Sequence, residues 1–376
     1  GNKKRSSMRL TGEGTRGGAP CCVRQNAGDV KSGGLWGAGP PARTRGEAFL
    51  ARPPAALVCD LHPSYLSSQW AREQAREQGL PLIEVQHHHA HIASVMAEAI
   101  AAGRLAPGAR VLGIAFDGTG AGTDGTIWGG EFLVARLADF ERVAHLRTWA
   151  LPGGAASVRD ARRNAFALLS ELDLLGHPGA AGLLDSLDEQ TRSITATMIE
   201  RGINSPRTSS MGRLFDAAAA ILGICGQATY EGEPAIELEA AAWRALDGGI
   251  AHFPDDNAGY SASDPSLLNQ KALFEALLEG IEAGTPADRL ALDFHIAIAR
   301  SSARIAREIC VREGIDTVAL SGGVFMNRLL LQLLTRELKN AGLTVLVPHT
   351  APVNDGCIAY GQAAVARARL AQIASQ

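Results

Sequence analysis

The chain has only six cysteines in 376 residues, and none stands in a Cys-x-x-Cys pair. That excludes a disulfide framework and a thiolate zinc site of ordinary ligand spacing, and it fits a reducing compartment with mostly buried free thiols. Adjacent Cys21-Cys22 do not form a ligand spacing, and no cysteine has a base beside it in sequence that would mark a nucleophile. No apolar run reaches the roughly 18–20 residues needed to cross a bilayer. The basic start Gly1-Asn2-Lys3-Lys4-Arg5 is not followed by the apolar core of a secretory signal. A cytoplasmic protein with no membrane role is the expectation. Neither sign of charge dominates, with 36 Lys/Arg against 39 Asp/Glu. Nine of the basic and three of the acidic side chains lie in residues 1–50, which leaves the body mildly acidic, with 27 basic and 36 acidic. Such a body lacks the basic face that nucleic acid requires.

Against these absences stands Val85-Gln86-His87-His88-His89-Ala90-His91, which holds four of the ten histidines. A strand Pro81–Val85 leads in and a helix runs on to about Ala102. His87 and His91 then lie one turn apart on one face and can share a metal ion. The His-Glu-x-x-His pattern of metallopeptidases is absent.

The organisation reads as four stretches. Residues 1–50 are rich in Gly, Arg, Ser and Pro without a hydrophobic period and are expected to be disordered. Residues 51–150 read as a first α/β lobe: a buried strand 55–60, helix Leu66–Gln78 stopped by Gly79, the histidine segment, then strands 110–117, 126–134 and 143–149. Residues 151–310 read as helices near 158–175, 180–202, 211–224, 233–246, 266–282 and 287–313. Residues 311–376 return to α/β, with strand 316–320, helix 328–341, strand 343–347 and helix 357–370. The strand at Phe116-Asp117 ends on a carboxylate and opens into Gly118-Thr119-Gly120, and strand 316–320 opens into Ser321-Gly322-Gly323 before a helix. Both turns expose backbone N–H groups suited to phosphate. Asp117 suits a metal, whereas Asp355 in Asn354-Asp355-Gly356 reads as a helix cap, a ligand or both. An α/β, two-lobed ATPase-like fold with a helical insertion follows, its nucleotide and metal in the cleft.

Five motifs occur in the order found in one family: Val85–His91; Phe116–Gly120 with Trp128-Gly129-Gly130-Glu131; Ser209-Ser210-Met211-Gly212-Arg213-Leu214-Phe215-Asp216; Ser321-Gly322-Gly323-Val324-Phe325-Met326-Asn327; and Asn354-Asp355-Gly356. With Cys59-Asp60-Leu61-His62-Pro63, residues 50–370 resemble the C-terminal part of HypF, the [NiFe]-hydrogenase maturation carbamoyltransferase. That part is similar to the tRNA threonylcarbamoyltransferase fold of the actin/Hsp70/sugar-kinase class. The resemblance implies one metal ion, iron or zinc, on His87, His91, Asp117 and Asp355. It implies ATP or carbamoyl-adenylate, with magnesium, held by Gly118, Thr119, Gly120, Gly322 and Gly323. Asp216 and Glu231 would accept ribose hydroxyls, and Asn327 would lie near the nucleotide. The carbamoyl group, drawn from carbamoyl phosphate and ATP, would pass to the C-terminal cysteine of HypE. His88 or His89 is the candidate base by proximity, and Arg207 the candidate ligand of the carbamoyl oxygen or phosphate. Full-length members carry acylphosphatase, zinc-finger and YrdC-like domains before this part, for which the first 45 residues leave no room. Leu151-Pro152-Gly153-Gly154-Ala155 and Arg159-Asp160-Ala161-Arg162-Arg163 depart from the family pattern. Two alternatives share the motifs: an O-carbamoyltransferase acting on a small molecule, and a non-catalytic nucleotide-binding partner of the maturation complex.

Overall fold

The computed structural model describes residues 22–23, 54–247, 259–260 and 267–375. The expected disorder of residues 1–50 otherwise lies outside these residues. Two of them, Cys22–Val23 (β1), form a strand paired in parallel with Leu57–Asp60 (β2), which itself pairs in parallel with Leu82–Val85 (β3). Between them lies helix α1, Leu66–Gln78, closed by Gly79 in the left-handed region at φ 63°. Glycine is the residue that reaches that conformation without penalty. The histidine helix α2 follows, His87–Ala101.

A second sheet is built on β4 (Val111–Ala121), β5 (Ile127–Ala135) and β6 (Phe140–Leu146), an antiparallel meander. The chain then leaves through short strand β7 (Trp149–Ala150) and helices α3 (Ala155–Arg159), α4 (Ala161–Glu171), α5 (Ala181–Asp185) and α6 (Glu189–Arg201). Next come β8 (Arg207–Thr208), α7 (Met211–Ile221), α8 (Glu233–Asp247), β9 (Gly259–Tyr260), β10 (Leu267–Asn269), α9 (Gln270–Glu282) and α10 (Ala287–Glu313). It returns as β11 (Thr317–Ser321), α11 (Arg328–Asn340), β12 (Thr344–Leu346) and α12 (Ile358–Ile373).

The strand order among the described residues is β12-β11-β4-β5-β6-β10-β9, with β8 paired to β5 and β7 paired to β8. β11 pairs in parallel with β4, Leu320 opposite Ile114. One sheet therefore runs across the boundary expected between residues 51–150 and 311–376. The long helical excursion brings the chain back beside β4, and parallel neighbours require such a crossover.

The pleat of β4 sorts its side chains. Leu112, Ile114 and Phe116 face the helical side and pack with residues of α7, α10 and α11. Val111 and Ala115 face the other side and pack against Ile92, Val95 and Met96 of α2. The opposite flank of α2, Ala90 and Ala93, packs with Val85 of the small sheet and Ile358, Val365 and Ala366 of α12. Helix α2 is thus buried between a sheet and a helix, which is why its histidines are enclosed rather than solvated. Gly361 makes this crossing possible: a Cβ there would overlap the Ala90 carbonyl oxygen. In most helix interiors Gly→Ala gains about 1 kcal/mol. Gly361→Ala is expected instead to lower stability by about 1–3 kcal/mol through overpacking, read as a lower urea midpoint. A raised midpoint would contradict this packing.

Candidate metal centre

Helix α2 opens with Gln86 as its cap, the side chain accepting the His89 N–H at 2.9 Å. His87 is the first helical residue and His91 lies one turn on. Asp117 sits where the β4–β5 register slips between Phe116 and Gly120, so the strand end is released from the ladder. Asp355 begins a 3₁₀ turn, Asp355–Cys357, ahead of α12. The turn is capped by Asn354, whose Oδ1 accepts the Gly356 N–H. This leaves the Asp355 carboxylate to face the histidines as a candidate ligand, where sequence alone read it as cap, ligand or both.

These four side chains converge. Asp117 Oδ2 is 3.2 Å from His87 Nε2 and 3.1 Å from His91 Nε2. Asp355 Oδ1 is 3.6 and 3.5 Å from the same two nitrogens. One ligand atom from each of the four lies within 4.8 Å of all the others. Two donors each about 2.0–2.1 Å from one ion at tetrahedral angles are about 3.4 Å apart, so the spacing fits a shared ion of the iron or zinc kind. His91 is fully buried, His87 nearly so, and Asp117 little exposed, while the Asp355 side chain is 66% exposed. The centre is therefore a socket open on the Asp355 side.

Burial alone would keep His87 and His91 neutral. Asp117, Asp355 and Asp60 outweigh it at His87, and Cys357 with Asp117 and Asp355 outweighs it at His91, so both pKa values lie well above the ordinary imidazole value. Burial likewise opposes ionisation of the two aspartates, and the histidines overcome it, holding both carboxyls well below their usual range. A divalent ion bound here would displace protons from the imidazoles and supply charge compensation to the carboxylates.

Several residues of this surround were given no role at the metal from sequence alone. Asp60 Oδ2 accepts from His87 Nδ1 at 2.9 Å. His91 Nδ1 faces Ser321 Oγ and Cys357 Sγ, each at 3.3 Å. The base that sequence could not pair with a cysteine thus lies beside Cys357 through the fold. Glu98 sits two turns beyond His91 and accepts the backbone N–H groups of His349, Thr350 and Ala351 at 2.8, 3.1 and 3.1 Å. It ties the loop that leads to Asp355 onto the helix that carries the histidines.

The two glycine turns meet at Asp117. Its Oδ1 accepts the Gly118 N–H at 2.8 Å and the Gly323 N–H at 3.2 Å. Gly322 holds φ 116°, and a Cβ there would run into the Phe116 carbonyl. Gly120 packs flat on His88 and His87, and Thr119 is exposed. The start of α7 closes on the same place: Ser210 Oγ donates to the Gly118 carbonyl at 2.6 Å, and a Cβ on Gly212 would stand 3.0 Å from Gly118 Cα.

Other expected site residues sit differently. Asp216 is buried beside Arg213, 2.7 Å from its Nη1, yet neither carboxylate oxygen nor Arg213 Nε has an aligned hydrogen bond. Burial raises the Asp216 pKa against the pull of Arg213. Arg213, whose Nη2 lies at Gly118, was missed by sequence reasoning. Arg207 instead pairs with Glu171 at 2.7 Å and donates to the Thr148 carbonyl, which commits its guanidinium to β7 and α4. His88 and His89 are enclosed at 0% exposure: His88 Nδ1 meets Gln86 and His89 Nε2 donates to the Arg136 carbonyl. Burial pushes His88 well below its ordinary pKa and His89 down to about 4. Glu231 is exposed in the turn before α8. Asn327 caps α11 through the Leu330 N–H and donates to His295 Nε2 at 2.8 Å.

A family model described as "Carbamoyltransferase, Kae1-like Domain, second subdomain" matches residues 113–362, and one described as "HypF Kae1-like domain" matches residues 16–98. The chain belongs to the HypF carbamoyltransferase family. It is 40% identical over 316 residues to the carbamoyltransferase HypF homolog of Cupriavidus necator, spanning 83% of this chain and 77% of that one. It is 39% identical over 324 residues to HypF of Rhodobacter capsulatus, spanning 84% and 40%. The crystal structure of full-length HypF in the phosphate- and nucleotide-bound form matches with TM-score 0.76 at 34% identity, over 88% of this chain and 49% of that one. T. kodakarensis HypF matches with TM-score 0.70 at 34% identity, over 84% and 40%. This HypF-type chain therefore spans two-fifths to a half of most of these relatives. The expected α/β fold agrees with the Kae1-like matches and with the mixed sheet. No helix among the described residues is long and apolar enough to cross a membrane.

Two outcomes follow from this HypF surround. Glu98→Ala releases the Asp355 loop and is expected to weaken zinc binding about tenfold, the lower end for outer-shell loss, in a chelator competition. Unchanged affinity would show that the loop is held by other means. Burial holds His295 neutral, its pKa pushed down from 6.5 to about 4. Protonation therefore favours unfolding. Its contribution is intact above pH 6.5, and about 3 kcal/mol is lost as pH falls from 6.5 to 4. Urea midpoints should fall over that range in the wild type and fall less in His295→Gln. Equal slopes would contradict the assignment.

Proposed function

We propose that this chain performs carbamoyl transfer for [NiFe]-hydrogenase maturation, passing the carbamoyl group of carbamoyl-adenylate to the C-terminal cysteine of a HypE-type protein. The observation that carries the reading is the junction at Asp117, where a four-ligand metal socket and two glycine turns share one side chain. A similar full-length HypF structure is in a phosphate- and nucleotide-bound form, which supports nucleotide use in the proposed reaction.

His87, His91, Asp117 and Asp355 would hold one divalent ion, iron or zinc. When bound, it supplies positive charge that stabilises the adenylate phosphate as it becomes a leaving group. The other roles belong to the chain. The Gly118 and Gly323 N–H groups fix the Asp117 carboxylate, and Arg213 brings a guanidinium to Gly118, so a phosphate oxygen would have a donor there. Asp216, buried without an aligned partner, is suited to accept ribose hydroxyls. The exposed side of Asp355 leaves room for the acceptor. There the thiolate attacks the carbamoyl carbon, the C–S bond forms, the C–O bond to phosphate breaks, and AMP departs. Arg213 replaces Arg207 in the proposed anion-binding role: Arg213 pairs with Asp216 through Nη1 and keeps Nη2 at Gly118, whereas both terminal nitrogens of Arg207 are taken by Glu171 and the Thr148 carbonyl.

Incubation of metal-loaded protein with carbamoyl-adenylate and a HypE-type acceptor should yield a thiocarboxamide, seen by mass analysis of the acceptor C-terminus. Asp117→Asn should slow single-turnover transfer by at least about 100-fold. No incorporation by the metal-loaded wild type would reject the reading.

A further inference from the structure

We propose that Asp60 is a positioning residue for the metal centre, fixing the tautomer and ring orientation of His87. The inference rests on the assignment of His87 as a ligand. His87 Nδ1 lies 2.9 Å from Asp60 Oδ2, and its Nε2 faces Asp117 and Asp355. A carboxylate accepts at this contact, so Nδ1 carries the hydrogen, and a cation that replaces the second ring proton would meet the lone pair of Nε2. The carboxylate also makes the ring a stronger donor, because it stabilises the positive charge that ligation induces on imidazole.

Asp60 is built for this task and anchored independently of α2. It ends β2, whose register sets Asp60 opposite Val85, two residues before His87. Its Oδ1 accepts the His62 N–H at 2.8 Å, and its backbone carbonyl accepts from Ser68 Oγ of α1 at 2.9 Å. Both ends of the contact are enclosed, with the Asp60 side chain 1% and the His87 side chain 2% exposed. No comparable carboxylate stands behind His91, whose Nδ1 meets a hydroxyl and a thiol. The two histidines are therefore unequal, with His87 the oriented one.

Asparagine at position 60 tests this on nearly the same shape. If its oxygen keeps the His62 N–H, its NH₂ points at His87 Nδ1 and drives the ring hydrogen to Nε2, removing the lone pair from the socket. If the amide flips, NH₂ opposes the His62 N–H. Zinc affinity by chelator competition, the absorption spectrum of the cobalt-substituted protein and the melting temperature without metal are measured for wild type, Asp60→Asn, His87→Ala and the double variant. Asp60→Asn is expected to weaken zinc about 10- to 100-fold and to alter the cobalt spectrum. Because Asp60 acts through His87, the double variant should bind zinc no more weakly than His87→Ala alone. Wild-type affinity in Asp60→Asn, with His87→Ala impaired, overturns the role of Asp60 while leaving the metal centre standing. Additive losses also overturn it, since they mark a general structural role. Wild-type affinity in His87→Ala removes the ligand assignment itself and with it this inference. If Asp60→Asn fails to fold, Asp60→Ser, which keeps an acceptor for the His62 N–H, carries the same comparison.

Discussion

Asp117 is the constraint on which the rest depends. One oxygen takes the backbone N–H groups of Gly118 and Gly323, from two turns far apart in the chain, and the other faces two histidines from a third segment. A carboxylate in that position cannot shift without disturbing the hairpin, the Ser-Gly-Gly turn and helix α2 together. The close approaches around it explain the local glycines. Gly129, Gly212 and Gly322 each pass so near the 116–118 backbone that a Cβ would collide or crowd it. The sheet order then has a chemical purpose, because β11 beside β4 is what brings Gly323 to Asp117.

The histidine helix shows what enclosure does to an ionisable cluster. Two imidazoles face three carboxylates, with His87 2.9 Å from Asp60, both rings 3.1–3.2 Å from Asp117 and 3.5–3.6 Å from Asp355, in a place where an unpaired charge is expensive. The carboxylates outnumber the rings, so the site is short of positive charge unless the rings are protonated or a cation is present. That imbalance, more than the count of histidines, distinguishes a metal socket from packed polar residues. His88 and His89 make the contrast: they share the helix, contact no carboxylate, and are held neutral by burial.

Much of the fold was legible in the sequence, since its signals are local. Helix α1 runs over the expected residues because Gly79 ends it, and the long helix Ala287–Glu313 stands where its apolar period placed it. The four proposed ligands were named from a strand end, a helix start and a histidine pair, and the structure brings them together. Contacts made by topology were out of reach. Asp60, Glu98 and Cys357 meet the site through strand pairing and helix packing that no spacing in the chain reveals. Arg207 was named for its place in a loop before Asp216, and its guanidinium pairs with Glu171. The division at residue 311 failed to foresee that β11 would insert beside β4, as strand patterns carry no record of their neighbours.

In the proposed site one ion is held by two imidazole nitrogens and carboxylate oxygens, with the nearby thiol outside its reach. X-ray absorption spectroscopy of the zinc-loaded protein reads the donor atoms directly. The expected result is a shell of nitrogen and oxygen at about 2.0–2.1 Å, with imidazole outer-shell scattering from two histidines. A sulfur at about 2.3 Å, as would arise if Cys357 were a ligand, or scattering from no histidine, would contradict it.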